Sequence, residues 1–200
     1  MGSVVETRPD ETALIVRARG GDVESFSALV RLYQDRAVRL AYSILGNWED
    51  ARDVAQEAFV KAYRSLGGFK AESRFSTWFH RILVNLCKDF LRKKKIRQGF
   101  GLFQKSSEEE SSPEEAIPSP APDPFRGVVN QELDQAIRGS LEKLPFRQRS
   151  VFALRYLEGL PLEAIANASG LTVGAVKANL WQAGEKMKKF LAPYLSDLEV

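Results

Sequence analysis

The chain has one cysteine, Cys87, and one histidine, His80, in 200 residues. A lone cysteine excludes a disulfide framework, and one residue of each kind leaves no Cys/His metal set. The two are seven positions apart, two helical turns, which is too far for the direct contact of a nucleophile and its base. Neither a G-x-x-x-x-G-K-[ST] loop nor a G-x-S-x-G elbow occurs. The paired carboxylates Asp50/Asp53 and Glu108/Glu110 fall on an exposed helix start and in a polar linker, where nothing would desolvate and tune an acid. No apolar run approaches the ~20 residues of a membrane span. The N-terminus lacks a signal-peptide pattern, and Glu6 breaks the myristoylation pattern that Met1-Gly2 begins. The expectation is a soluble cytoplasmic protein that is not an enzyme and carries neither metal nor cofactor.

What is present is helical periodicity and segregated charge. A 44% apolar share supports ordinary cores, and net charge is only +3. Residues 88–97 nevertheless carry six basic groups against one acid, whereas residues 106–124 carry six acids and no base. Residues 1–9 read as a tail. A short helix is predicted over 11–19, then a longer one from Asp22 to Gly46, with Phe26, Leu29, Val30, Tyr33, Ala37, Leu40 and Ala41 on one face. Over 49–66, Ala51, Val54, Ala55, Ala58, Phe59, Ala62, Tyr63 and Leu66 form an apolar stripe. The opposite face holds Asp53, Gln56, Glu57, Val60 and Arg64. Val60 is either an ordinary exposed valine or the apolar centre of a partner site with a polar rim.

After a polar loop at 69–75, a helix over 76–97 has a core stripe of Phe75, Trp78, Phe79, Ile82, Leu83, Leu86 and Phe90. Thr77, Arg81, Asn85, Lys88 and Arg92 are expected on the face away from the core, His80 at a boundary. The Lys93-Lys94-Lys95 run either complements the helix dipole or extends a cationic track beside aromatics, as single-stranded nucleic acid requires. Residues 98–127 hold five of the nine prolines and read as a linker that cannot bury a core. Helical periodicity resumes at 128, with Val129, Leu133, Ile137 and Leu141 in one helix and Val151, Phe152, Leu154 and Leu157 inward in the next.

Residues 161–187 then read as a helix, a turn at Ser169-Gly170, and a second helix opened by Thr172. Ile165, Ala166, Val176, Leu180, Ala183 and Met187 face inward, and Gly170 can take the positive φ of the corner. This is either a helix-turn-helix or an ordinary helical hairpin. In a helix-turn-helix, the outward face of the second helix enters a DNA groove. Gln182 and Asn179 would then suit a base, adenine by preference, and Lys177 and Lys186 would suit phosphates. There is no β alternation and no internal repeat. The predicted fold is all-α: two small helical domains, 10–97 and 128–200, joined by a flexible acidic, proline-rich linker.

Three stretches together, residues 50–66, 74–92 and 144–190, resemble the bacterial RNA polymerase sigma factors, and the layout resembles their small extracytoplasmic-function (ECF) group. The resemblance implies that Asp53, Gln56, Glu57, Val60 and Arg64 dock on the coiled-coil clamp of core polymerase. It implies that Phe75, Thr77, Trp78, Arg81, Asn85, Lys88 and Arg92 capture single-stranded DNA of the −10 element. It makes Thr172, Gly174, Ala175, Lys177, Ala178, Asn179, Trp181, Gln182 and Lys186 readers of the −35 duplex. It implies an anti-sigma partner as well. Ala178, Asn179, Gln182 and Gly184 stand where Ser, Arg, Arg and Arg are often found in that family, which predicts a weaker phosphate contribution. Two other readings compete: a stand-alone helix-turn-helix regulator with an N-terminal helical interaction domain, and a small nuclease or hydrolase.

Overall fold

The computed structural model describes residues 10–69, 73–101 and 127–195. The expected tail and most of the expected linker lie outside them. Eight α-helices and one short 3-10 turn make up the described residues, with no strand among them. They are α1 (Glu11–Arg19), α2 (Val23–Leu45), α3 (Trp48–Ser65), α4 (Phe75–Gly101), α5 (Gly127–Glu142), α6 (Phe146–Tyr156), α7 (Leu162–Ser169) and α8 (Val173–Leu195).

Local chemistry sets most of these boundaries. Asp10 accepts from the Thr12 amide at 3.0 Å, Asp22 from that of Glu24 at 3.1 Å, and Asn47 from that of Asp50 at 2.9 Å. Each satisfies one orphan donor at a helix start. Gly46 ends α2 with φ of 78°, the left-handed cap that a side chain resists. Helix α4 runs four residues further than expected, so 98–101 are helix rather than linker.

The first four helices pack around Leu29, Leu40, Ile44, Ala51, Ala58, Phe79 and Leu83, all essentially inaccessible. Small alanines on α3 let it approach α2 and α4 closely. A fully buried leucine or phenylalanine there contributes about 1.5–3 kcal/mol. In the C-terminal half, Val151, Leu154, Ile165 and Val176 do the same for α6, α7 and α8, while Leu141, Leu144, Ala183 and Met187 form a smaller cluster with α5.

The two halves pack on one another: α7 lies on α4, and α5 and α6 lie on α2. Polar contacts pin this seam. Arg149 of α6 donates to the Ile44 carbonyl at 2.7 Å, to that of Leu144 at 3.0 Å, and to that of Glu142. One guanidinium thus caps the C-terminal ends of α2 and α5 together. Glu158, in the α6–α7 turn, has a side chain only 4% exposed, and its Oε2 lies 3.1 Å from Arg36 Nη2 and 3.3 Å from His80 Nε2.

This packing corrects several expectations. Thr77, expected on an outward face, is only 5% exposed, and His80, expected at a boundary, is buried. Both lie under the α6–α7 turn, which no pattern internal to α4 announces. Leu157, expected inward, is exposed because the helix has already ended at Tyr156. Tyr63 is exposed beside Phe26, with ring centroids 4.9 Å apart, rather than enclosed in the core.

Candidate nucleic-acid and partner interfaces

On α3 the buried alanines fix the helix rotation, and the other face follows. Asp53, Gln56, Glu57, Val60 and Arg64 are all exposed, Val60 to 45%. Beside Val60 runs an open groove of about 690 Å³ between α2 and α3. Its apolar floor comes from Phe26, Val30 and Val38 on one side and Ala55, Phe59 and Tyr63 on the other; Gln56, Arg52 and Arg64 edge it. An apolar trough with a charged margin is a composition that protein interfaces share.

On α4 the cationic row is regular. Arg81, Asn85, Lys88 and Arg92 recur every three or four residues and are exposed, which lines them along one face. Two members of the basic segment find local partners. Lys94 pairs with Asp50 at 2.9 Å and lies 5.8 Å from the centre of the Phe90 ring, and Arg92 lies 3.5 Å from Asp89. Lys94 therefore ties the end of α4 to the start of α3 instead of extending the track.

The aromatics at the head of α4 divide by burial. Phe75 is buried against Tyr33, Phe69 and Trp78, with centroids 5.4, 6.1 and 5.6 Å away. Its ring lies in the core stripe, as the periodicity of α4 predicts, and supports Trp78 rather than offering an open face of its own. Trp78 is half-buried and leans on Phe69 at 5.1 Å, so part of its ring still meets solvent. A cavity of about 1090 Å³ opens between the 73–77 segment and α7. Arg74, Ser76 and Thr77 line one wall, and Glu158, Glu163 and Asn167 line the other.

The helix-turn-helix has the expected geometry. Gly170 closes α7 at φ of 66°, and the Thr172 hydroxyl accepts from the Ala175 amide at 3.2 Å to open α8. Ile165, Ala168, Val176 and Ala183 are buried between the two helices. Thr172, Gly174, Lys177, Ala178, Trp181 and Gln182 are exposed, while Ala175, Asn179 and Lys186 are half-buried. Trp181 is 70% exposed. The Asn179 amide donates back to the Ala175 carbonyl at 2.8 Å.

Sequence reasoning missed Gln148. It sits on α6, more than nine-tenths buried, donates through Nε2 to Gln182 Oε1 at 2.7 Å, and accepts from Lys186 Nζ at 3.0 Å. The available signal was a polar residue at a core register, one turn from both Leu144 and Val151. Glu158 was missed for a different reason, because its partners lie on α2 and α4.

Burial and neighbouring charge shift two of the side chains named here. Burial pushes the Cys87 thiol up to about 12, so it stays protonated and inert. Burial also pushes Glu158 upward, but the contact and charge of His80 and the charges of Arg36 and Arg39 outweigh it and hold the carboxyl below 4.5. No cluster of His, Cys, Asp or Glu that could hold a metal occurs among the described residues, and no described helix is long and apolar enough to cross a membrane.

Comparison with known proteins agrees with this arrangement. The family model described as Sigma-70 region 2 matches residues 29–96, and that described as Sigma-70, region 4 matches residues 134–187. The ECF RNA polymerase sigma factor SigW of Bacillus subtilis is 33% identical over 88% of this chain and 94% of its own length. The RNA polymerase sigma-H factor of Pseudomonas aeruginosa is 32% identical over 96% of this chain and 98% of its own. Among solved structures, CnrH in complex with the cytosolic domain of CnrY superposes with a TM-score of 0.66, at 23% identity, over 92% of this chain and 97% of that one. The likeness to CnrH speaks for the fold, and the identity with the two curated relatives, over nearly the whole chain, speaks for the family. The chain belongs to the extracytoplasmic-function group of RNA polymerase sigma factors, which direct transcription initiation.

Proposed function

We propose that residues 10–97 hold core polymerase and open the −10 element, that 128–200 read the −35 element, and that the stretch between them, whose first four residues extend α4, joins them. The α3 face of Asp53, Gln56, Glu57, Val60 and Arg64, with the groove beside it, seats the core enzyme. Arg81, Asn85, Lys88 and Arg92 carry the displaced strand, with Trp78 as the stacking surface nearest the 73–77 segment. Thr172, Gly174, Lys177, Ala178, Trp181 and Gln182 face the −35 major groove, with Ala175, Asn179 and Lys186 at its margin. The protein works by binding in the cytoplasm and does no covalent chemistry. An anti-sigma protein is a further expected partner; the sigma factor RpoE of Bartonella quintana, which shares the fold, is solved in complex with the anti-sigma factor NepR.

Using both readers together requires the seam between the halves to open. Elements about 25 base pairs apart are separated by ~85 Å along the duplex at 3.4 Å per pair. In the structure α4 and α7 are in contact. The stretch 102–126, about 25 residues, can span at most ~80–90 Å, so its length is matched to the task. Glu158 and Arg149 hold the contacts that such an opening would break.

The single observation that carries the core-binding assignment is Val60, 45% exposed on a polar face beside an apolar groove. The test is Val60→Glu in binding to reconstituted core polymerase. A buried charge at the centre of an interface lowers affinity by at least about tenfold, while the circular dichroism spectrum stays that of the wild type. Unchanged affinity would remove the assignment of this face.

A further inference from the structure

We infer that Gln148, a residue that does not itself face DNA, decides which hydrogen-bonding edge Gln182 shows to a −35 base. The inference rests on the reading of α8 as the −35 reader and deepens it.

The argument follows the direction of each hydrogen bond. Lys186 Nζ lies 3.0 Å from Gln148 Oε1. An ammonium group has donors only, so the Gln148 atom facing it must be the carbonyl oxygen. The Gln148 amide is therefore oriented by chemistry, and its Nε2 points the other way, to Gln182 at 2.7 Å. A donor arriving there needs an acceptor, so Gln182 must turn its own Oε1 inward. What it keeps for the solvent side of α8 is its NH2 group. Donor polarity runs in one direction from Lys186 through Gln148 to Gln182, and each bond polarises the next. Reversing the Gln182 amide would set two NH2 groups face to face and leave a nearly buried donor without a partner. That cost disfavours the reversed form by roughly tenfold or more.

Position and burial make Gln148 suited to this role. It is on the first turn of α6, more than nine-tenths buried, so its side chain has little room to turn. Gln182 is exposed and Lys186 half-buried on the outer side of α8. The buried residue thus holds two outward ones at fixed places one helical turn apart.

A glutamine free to rotate offers a donor and an acceptor together and suits adenine. A glutamine whose oxygen is held inward is a donor. It fits bases that present acceptors in the major groove, guanine best with N7 and O6, and it opposes cytosine, which presents the N4 donor. Gln148 is a positioning residue for base choice, and Gln182 is the reader.

The experiment is transcription by core polymerase reconstituted with the full chain, on a promoter library randomised across the −35 region. Gln182→Leu first identifies the position it reads, as the one where preference collapses. At that position the wild type favours guanine over cytosine by roughly tenfold, the scale of one good base contact. Gln148→Glu replaces the relay by an acceptor-only group. Lys186 still donates to it, but Gln182 must now turn its NH2 inward and show Oε1 outward, so the preference moves to cytosine or adenine. Lys186→Met, on a half-buried surface position, removes the donor that orients Gln148 and reduces the guanine-to-cytosine discrimination without reversing it. If Gln148→Glu does not fold by circular dichroism, the Lys186→Met result decides. Preferences unchanged by the Gln148 and Lys186 variants at a position that Gln182→Leu does alter would overturn the relay and leave the −35 reading intact. A Gln182→Leu variant with no altered position would instead overturn Gln182 as a reader, and the relay with it.

Discussion

Glu158 offers the sharpest test of how the two halves of the molecule are held. Its carboxylate is 4% exposed and lies between Arg36, whose side chain is 50% exposed, and His80, which is 2% exposed. Replacing it with Ala removes two contacts of unequal worth. The Arg36 contact is open to solvent on one side and contributes at most about 1 kcal/mol. His80 stays enclosed by the same packing, and leaving its Nε2 without a partner costs about 1–3 kcal/mol. The expected destabilisation is therefore about 1–4 kcal/mol, and with a urea slope of ~2 kcal/mol/M the unfolding midpoint falls by about 0.5–2 M. Glu158→Gln keeps the shape and loses the charge, so it should fall between wild type and Ala. The effect also has a pH signature. The folded carboxyl titrates below its ordinary 4.5, so the unfolded state binds its proton first as acid is added. The stabilisation is complete above about 4.5 and is lost as pH falls through the folded value. The midpoint gap between wild type and Glu158→Gln should narrow across that acid window. Equal midpoints at pH 7, or a gap that does not change down to pH 3, would refute the reasoning that this ion pair holds the seam.

Two further outcomes follow from the backbone and from the buried thiol. Gly170→Val places a β-branched residue at φ of 66° in the helix-turn-helix corner, which costs at least about 1–2 kcal/mol; a melt of the full chain should shift downward, and promoter binding should fall with it. An unshifted melt would mean that the corner relaxes freely. Cys87, with its thiol pushed up to about 12, should resist a thiol reagent at pH 8 in the folded protein and react at once in urea, and rapid native-state labelling would contradict its enclosure in the core.

Much of the molecule was legible before any coordinates. The helix start at Asp22, the glycines at 46 and 170, and the alanine stripe of α3 act within a few residues of themselves, so their chemistry is written locally. Exposure of Asp53, Gln56, Glu57, Val60 and Arg64 followed from the same stripe, because one helix face determines the other. The row from Arg81 to Arg92 was legible for that reason too.

Other features depended on what each helix meets. Thr77 and His80 sit on α4 at positions whose burial comes from a turn some 80 residues away, and α4 read alone gives no sign of it. Glu158 lies in a turn, and its enclosure comes from Arg36 on α2 and His80 on α4, far from it in sequence. Gln148 and Gln182 are 34 residues apart, and their hydrogen bond exists only because α6 and α8 pack side by side. Helical periodicity and capping are short-range, so the sequence by itself determined the helices, their inner faces and the helix-turn-helix. Burial of charge and the direction of a hydrogen-bond chain depend on partners from distant segments, so only the tertiary structure decided the seam between the halves and the orientation of the Gln182 amide.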